Sequence, residues 1–257
     1  MIWDSVNCVL DIESELMCSL DLSHEMMNDP THWEKLCPFL TVNSDLSPDL
    51  LFKHQSNASG KQKYASTDNS IHLLGKALTD KGYFNITNLQ LELPPLLKLL
   101  SFGVKRLNAY GYSQQFLMMY DEMWLISDLI SSITTRASKN ISIGDYYIFH
   151  VDPTSTTNRY VPGGPHRDRP MADSTSFRME DDSPKYCSVW LALTDATTTN
   201  SCLYVLPKSD DEGYYKKGDQ LNCDSSHLLF SHISAQPLLC GGLLCFSHRF
   251  AIHNTFF

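Results

Sequence analysis

Positive charge is scarce in this sequence. It holds 20 Lys and Arg against 29 Asp and Glu, which gives a formal net charge of -9, and no Lys or Arg precedes Lys35. Because phosphate groups bind to positively charged surfaces, this balance argues against a nucleic-acid partner. The first 34 residues instead contain Asp4, Asp11, Glu13, Glu15, Asp21, Glu25, Asp29 and Glu34. Apolar residues recur between them at loosely helical spacing, which predicts an acidic arm that either packs on the body of the protein or binds a protein partner.

Long hydrophobic runs and clustered cysteines are also lacking. No apolar run approaches the roughly 18 residues of a membrane helix, and the N-terminus has neither the charged nor the apolar region of a secretory signal. The 8 cysteines show no C-x-x-C and no zinc-ligand spacing, which argues against a structural zinc site and favours reduced thiols. We therefore expect a soluble, cytoplasmic protein without a membrane span.

The 257 residues suit one large domain with an extension. The polar stretch from Ser56 to Ser70 predicts a surface loop, so we divide the chain into an acidic, partly helical extension over residues 1–70 and a second unit over residues 71–257. Within the second unit, periodicity predicts a helix over Leu73–Thr79, a strand within Lys81–Ile86, a helix starting near Pro94 and a long helix over Ser113–Thr134.

After Asn140 the pattern changes to short β-rich runs separated by turn-rich loops. This change predicts an α+β protein whose strands form a jelly roll or a related barrel. The predicted strands are Ile143–Val151, Tyr186–Thr194, Cys202–Leu206, Leu228–Ile233 and a last one from Leu243 to the end of the sequence.

A candidate metal site follows a Pro-Gly-Gly-Pro turn in this region. His166 and Asp168 stand two residues apart, so in an extended chain both side chains project from one face, about 7 Å apart. Two histidines and one carboxylate on one face of a metal are typical of non-heme Fe(II) oxygenases. A second histidine is then required, and the C-terminal segment contains His248 and His253. On its own, an H-x-D sequence equally fits a solvated loop histidine beside an aspartate.

Three further segments give this pair a context. They are Cys187–Ala196 (CSVWLALTDA), Asn200–Ser209 (NSCLYVLPKS) and Gly241–His253 (GGLLCFSHRFAIH). In order and spacing, the region from Tyr83 to His253 resembles the phytanoyl-CoA dioxygenase-like family of Fe(II)/2-oxoglutarate-dependent oxygenases. The resemblance implies a double-stranded β-helix (a jelly-roll or cupin-like core) flanked by N-terminal helices. It also implies Fe(II), 2-oxoglutarate as cosubstrate, molecular oxygen, and hydroxylation of a small-molecule or lipid-like substrate.

The resemblance also implies roles for single residues. His166, Asp168 and a distal histidine would bind iron, and Trp190 would line the 2-oxoglutarate pocket, unless it is only a core aromatic. Relatives run F-x-x-R-x-x-H, which would place the distal histidine at Ile252, so His253 is one residue out of step and needs a β-bulge to reach the iron. His248 keeps the strand face but comes nearly a strand length too early, and we therefore favour His253.

The position of the cosubstrate arginine departs from the family. Relatives place it after the distal histidine, where a bidentate guanidinium binds the far carboxylate of 2-oxoglutarate. Here the sequence ends four residues after His253. The only late cation is Arg249, four residues before His253 and on the same face of the expected strand. Either Arg249 substitutes, or a Lys or Arg elsewhere does, or the sequence is a truncated or divergent form. The last case leads to the alternative function, a catalytically impaired member of the fold that acts as a binding or scaffold protein.

Overall fold

The structure is a computed structural model. It describes residues 24–42, 68–87, 89, 93–142, 145–150, 166–168, 176–200, 202–215, 232–249 and 251–254.

Helices make up most of the first half of the described chain. They are α1 (His24–Met27), α2 (Pro30–Leu36), α3 (Asp68–Lys81), α4 (Leu93–Ala109), a 3-10 helix (Gln114–Met119) and α5 (Asp121–Ser138). Local chemistry fixes their ends: Asp29 caps α2 by accepting a hydrogen bond from the Thr31 N–H, and Pro30 occupies the first turn, where its missing N–H costs nothing. The predicted helices near residues 73 and 94 are confirmed by α3 and α4.

The predicted helix over Ser113–Thr134 is wrong as a single element. It is divided at Tyr120, whose backbone is extended (φ -110°, ψ 138°) between the 3-10 helix and α5. The Tyr120 hydroxyl donates a hydrogen bond to the buried carbonyl oxygen of Trp33 at 2.9 Å. The apolar stripe continues across the break, so hydrophobic periodicity could not reveal it.

In the part of the chain that the structure describes, seven strands form two antiparallel sheets. They are β1 (Tyr83–Ile86), β2 (His166–Arg167), β3 (Cys187–Leu191), β4 (Leu203–Leu206), β5 (Ser234–Gln236), β6 (Leu243–Ser247) and β7 (Ala251–Asn254). The first sheet has the order β1-β6-β3 and the second the order β2-β7-β4-β5. The mixed helix-and-strand class is confirmed, and so are the predicted strands at β1, β3 and β4.

Three strand predictions need correction. Residues 145–150 form no strand, and residues 143, 144 and 151 lie outside the described residues. Of the predicted strand Leu228–Ile233, only His232 and Ile233 are described, and β5 begins after them. The predicted last strand is two strands, β6 and β7, with a turn at His248 and Arg249 that carries the chain from one sheet to the other.

Two apolar clusters stabilise this arrangement. The larger one lies between the helices and one face of the first sheet, where Phe84, Leu243 and Cys245 meet residues of α2 to α5. The smaller one contains Leu244 and Phe246 from the first sheet and Leu203 and Val205 from the second. Because residues 243 to 246 of β6 are buried and alternate between the clusters, this strand is the centre of the molecule.

The described part of the predicted extension joins the larger cluster. Trp33 of α2 is fully buried there, and its ring nitrogen donates to the Met27 carbonyl oxygen at 3.0 Å. Residues 24–42 therefore pack on the body of the protein, whereas the division at residue 70 stays a prediction. Five described cysteines (Cys37, Cys187, Cys202, Cys240 and Cys245) are free thiols, as expected. Among the described helices, none is long and apolar enough to cross a membrane.

Candidate metal site

The two predicted metal ligands lie at one edge of the second sheet. Of the described strands, β2 pairs only with β7, where His166 is opposite Ile252 and Arg167 is opposite Ala251, and Asp168 follows directly. The His166 Nε2 and the Asp168 Oδ1 are 3.6 Å apart, and their side chains are 37% and 30% exposed. The structure therefore brings this pair together at a position that solvent can reach.

The pairing register shows which side of the sheet the pair occupies. Ile252 is opposite both His166 on β2 and Val205 on β4, so positions 166, 252 and 205 share one face. Val205 is fully buried in the cluster between the two sheets. His166, and Asp168 two residues later, are thus at the edge of the space that the two sheets enclose.

β3 contributes two residues to the same space. The hydroxyl group of Ser188 donates a hydrogen bond to the Asp168 Oδ2, which leaves Oδ1 on the side of His166. Trp190 comes two residues later on the same face of β3, about 7 Å along the strand. It packs against the cluster between the sheets. This placement is compatible with a wall of a cosubstrate pocket, and the role of Trp190 stays a prediction.

The separation of the two donor atoms can be compared with that of metal ligands. Two ligands each about 2.1 Å from a metal lie roughly 3.0 Å apart at a right angle and roughly 4.2 Å apart on opposite sides. The observed 3.6 Å falls between these limits. One imidazole nitrogen and one carboxylate oxygen are also a donor set that suits Fe(II). The pair therefore fits a shared divalent cation, although no group of three His, Cys, Asp or Glu that could hold a metal occurs among the described residues.

The predicted third ligand, His253, is on β7. It is opposite Tyr204, whereas Ile252 is opposite His166. Pairing with β4 is continuous from Ala251 to Asn254, so no β-bulge absorbs the extra residue there and positions 252 and 253 belong to opposite faces. The assignment of His253 stays a prediction, and the register favours position 252 as the one next to His166.

His248, the alternative third ligand, lies in the turn between β6 and β7 and not in a strand, which corrects our expectation that it keeps a strand face. It is buried, and its Nδ1 is 2.8 Å from the Tyr186 carbonyl oxygen. The His248 backbone N–H donates to the same oxygen at 3.0 Å, and its ring packs against Phe177. These contacts attach the turn to the start of β3.

Arg249 occupies the same turn and is fully buried. Its Nε donates to the Tyr214 carbonyl oxygen at 3.2 Å, and its Nη2 donates to the Gly213 carbonyl oxygen at 2.9 Å. Because the turn separates Arg249 from β7, the expected shared strand face with His253 is wrong. Its role in binding 2-oxoglutarate stays a prediction.

Sequence reasoning missed three residues beside the candidate ligands. Ser188 could have been found, because it is two residues before Trp190 in an alternating strand. Arg167 is the middle residue of the H-x-D motif, and Asp211 follows the short 3-10 helix after β4. These two form a buried ion pair directly behind the metal site, and no local pattern in the sequence links residues 44 positions apart.

A comparison with known protein families covers the segment that carries these residues. The family model for phytanoyl-CoA dioxygenase (PhyH) matches residues 143–226. No curated protein matches the chain. Among solved structures, the epimerase SnoN, in complex with Fe3+, alpha ketoglutarate and nogalamycin RO, is 14% identical with a TM-score of 0.45, covering 73% of this chain and 78% of its own.

The non-heme alpha ketoglutarate dependent carbocyclase SnoK is also 14% identical, with a TM-score of 0.42, covering 76% of this chain and 80% of its own. The PhyH match over residues 143–226 includes His166, Asp168, Ser188 and Trp190. The segment that carries the candidate metal pair is therefore similar to the phytanoyl-CoA dioxygenase family.

Proposed function

We propose that this protein is an Fe(II)/2-oxoglutarate-dependent dioxygenase that hydroxylates a small-molecule or lipid-like substrate. The observation that carries the proposal is the His166–Asp168 pair, at 3.6 Å, inside the segment that matches the PhyH family. Molecular oxygen would be the co-reactant. The third ligand would come from β7, and His253 remains our assignment although the register puts position 252 opposite His166. The substrate reaches the pair from the solvent side, where both ligands are partly exposed.

The strand order supports the fold that this function requires. Along the described chain, β2 lies in the second sheet, β3 in the first, β4 and β5 in the second, β6 in the first and β7 in the second. A chain that alternates in this way between two facing antiparallel sheets is arranged like a jelly roll. We therefore propose that the two sheets are the core of a double-stranded β-helix, with α2 to α5 packed on the outer face of the first sheet.

Each named residue has a separate task in this proposal. Bound Fe(II), with 2-oxoglutarate and oxygen, supplies the oxidising chemistry. His166 and Asp168 would bind the metal. Ser188 holds the Asp168 Oδ2, so that the Asp168 Oδ1 is directed to the metal. Trp190 forms an apolar wall beside them and excludes water from the cosubstrate.

Anaerobic titration tests the proposal. Fe(II) added to the protein with 2-oxoglutarate is expected to give the weak visible charge-transfer band of a ternary complex, and Fe(II) without 2-oxoglutarate is expected not to give it. Folded protein that shows no band with both present would contradict the proposal.

The third ligand is tested by iron retention in three variants. His253→Ala should lose iron if His253 binds it. His248→Ala should retain iron because His248 lies in the turn and not in β7, the strand that pairs with His166. Ile252→His places an imidazole opposite His166 and should raise the affinity if position 252 faces the metal. Loss of iron in His248→Ala alone would reverse the assignment.

The second candidate function is a binding or scaffold role for a catalytically impaired member of the fold. The observation in its favour is that an apolar residue, Ile252, is opposite His166 where a ligand would stand. This candidate predicts a folded protein that binds neither Fe(II) nor 2-oxoglutarate. A protein partner for the acidic arm stays a prediction, because residues 1–23 lie outside the described residues.

A further inference from the structure

The strand that carries the candidate ligands has little backbone support. Among the described residues, β2 consists of two residues, lies at the edge of its sheet and pairs with β7 alone. Metal affinity depends on how precisely the ligands are held before the metal arrives. A two-residue edge strand does not provide that precision by its hydrogen bonds alone, so another contact is needed.

Arg167 provides this contact from the opposite face of β2. Its Nη1 is 2.5 Å from the Asp211 Oδ2, and its Nη2 is 2.7 Å from the Asp211 Oδ1, which is a bidentate ion pair. The two side chains are 3% and 2% exposed. Arg167 Nη1 also donates to the carbonyl oxygen of Arg249, the residue two positions before β7. One guanidinium thus connects β2 with both the loop at Asp211 and the entry to β7.

The loop is shaped around this guanidinium. The Gly213 N–H donates to the Asp211 Oδ1 at 2.9 Å, and the Gly213 carbonyl oxygen accepts from the Arg249 Nη2 at 2.9 Å. A Cβ atom on Gly213 would lie 2.7 Å from the Arg167 Nη2, so a larger residue there would displace the guanidinium group. Two buried arginines, Arg167 in β2 and Arg249 just before β7, therefore both bind the loop that begins at Asp211.

We propose that the Arg167–Asp211 ion pair is a positioning device for the metal site: it fixes β2 so that His166 and Asp168 meet on the other face. The inference rests on the proposed function, because it assigns the pair to metal binding. A buried ion pair is poor evidence for stability as such, since apolar residues of similar volume often replace one without loss. A role in ligand geometry explains why the arginine of this ion pair stands between the two candidate ligands in the sequence.

The double variant Arg167→Met/Asp211→Leu separates positioning from stability. It removes both charges and keeps most of the volume, so we expect a folded protein. Its melting temperature should fall only as far as the hydrogen bonds lost by the Gly213 N–H and the Arg249 carbonyl oxygen require. Co(II) alone, added anaerobically, is the probe. We expect its dissociation constant to rise at least about tenfold, with an altered visible spectrum, as for other residues that orient metal ligands. Wild-type affinity together with a wild-type spectrum would overturn the inference.

Arg178→Met is the matched control. Arg178 also donates hydrogen bonds to buried groups, among them the Ser138 carbonyl oxygen at 3.1 Å at the end of α5, but it does not contact β2. We expect this variant to lose thermal stability and to keep its Co(II) affinity. Equal weakening of Co(II) binding in Arg178→Met would show that destabilisation alone impairs the site, and would overturn the inference.

A conservative variant covers the case in which the double variant does not fold. Arg167→Lys keeps the charge but not the bidentate contact with Asp211. We expect weaker Co(II) binding and an altered spectrum, and wild-type values for both would again overturn the inference. If the wild-type protein binds no Co(II), the proposed function fails and this inference fails with it, an outcome distinct from equal binding in wild type and variants.

Discussion

Replacing Ser188 by alanine removes a side-chain hydrogen bond from β3 to the metal pair. The Ser188 hydroxyl donates to the Asp168 Oδ2, while the Asp168 Oδ1 is directed to His166. A hydrogen bond to a charged group contributes about 1.5–3 kcal/mol. Asp168 is 30% exposed, so water replaces part of this contribution and the lower end applies. A change of about 1.4 kcal/mol corresponds to a tenfold weaker Fe(II) affinity.

Calorimetric titration with Fe(II) under anaerobic conditions measures this change. The metal-free variant should lose no more than about 1.5 kcal/mol of stability, because Asp168 remains partly hydrated. Ser188→Thr keeps a hydroxyl on a strand and should restore most of the affinity. Ser209→Ala, which removes a 3.3 Å contact with the exposed Asp210, should leave the affinity unchanged. Unchanged affinity in Ser188→Ala, or an equal loss in Ser209→Ala, would refute the reasoning.

Three other predictions concern separate parts of the molecule. Trp190→Ala should weaken 2-oxoglutarate binding more than Fe(II) binding, and equal weakening in titrations would indicate general loss of the core, for which about 3–5 kcal/mol is expected. Gly75→Ala should lower the melting temperature in a thermal scan by several degrees, about 1–3 kcal/mol, because its Cβ would lie 2.5 Å from the Ala137 backbone oxygen where α3 meets α5. Hydrogen bonds from Ser183 hold the pKa of Asp181 at about 2, below its ordinary 3.8, so its stabilising effect is present above about pH 4 and disappears as the pH falls toward 2. The difference in unfolding free energy between wild type and Asp181→Asn should therefore shrink over that range, and a constant difference would contradict the assignment.

Much of the fold could be predicted from the sequence, because period and turn chemistry are local. The capping residue Asp29 and the following Pro30 indicate the start of α2. The alternation around Trp190 predicts β3 and the strand face that Trp190 shares with Ser188. The division at Tyr120 could not be predicted, since it depends on a hydroxyl that reaches Trp33, 87 residues away.

The candidate site was predicted only in its local part. His166 and Asp168 are two residues apart, and a period-two strand brings them together without information from elsewhere. The change of sheet at His248 and Arg249 is a tertiary event, and overlooking it misplaced both residues on a continuous strand with His253. Asp211 reaches Arg167 across 44 residues, so only the folded chain shows that the middle residue of the H-x-D motif is buried and paired.

Equilibrium binding of Fe(II) to wild type, His166→Ala and Asp168→Ala tests the central claim most directly. Both side chains are partly exposed at the edge of a sheet, so their removal should leave the circular dichroism spectrum and melting temperature near those of the wild type. Wild type should bind one equivalent of Fe(II) anaerobically, and each variant should lose it while Ser209→Ala retains it. Wild-type protein that binds no Fe(II), or variants that keep full affinity, would contradict the account.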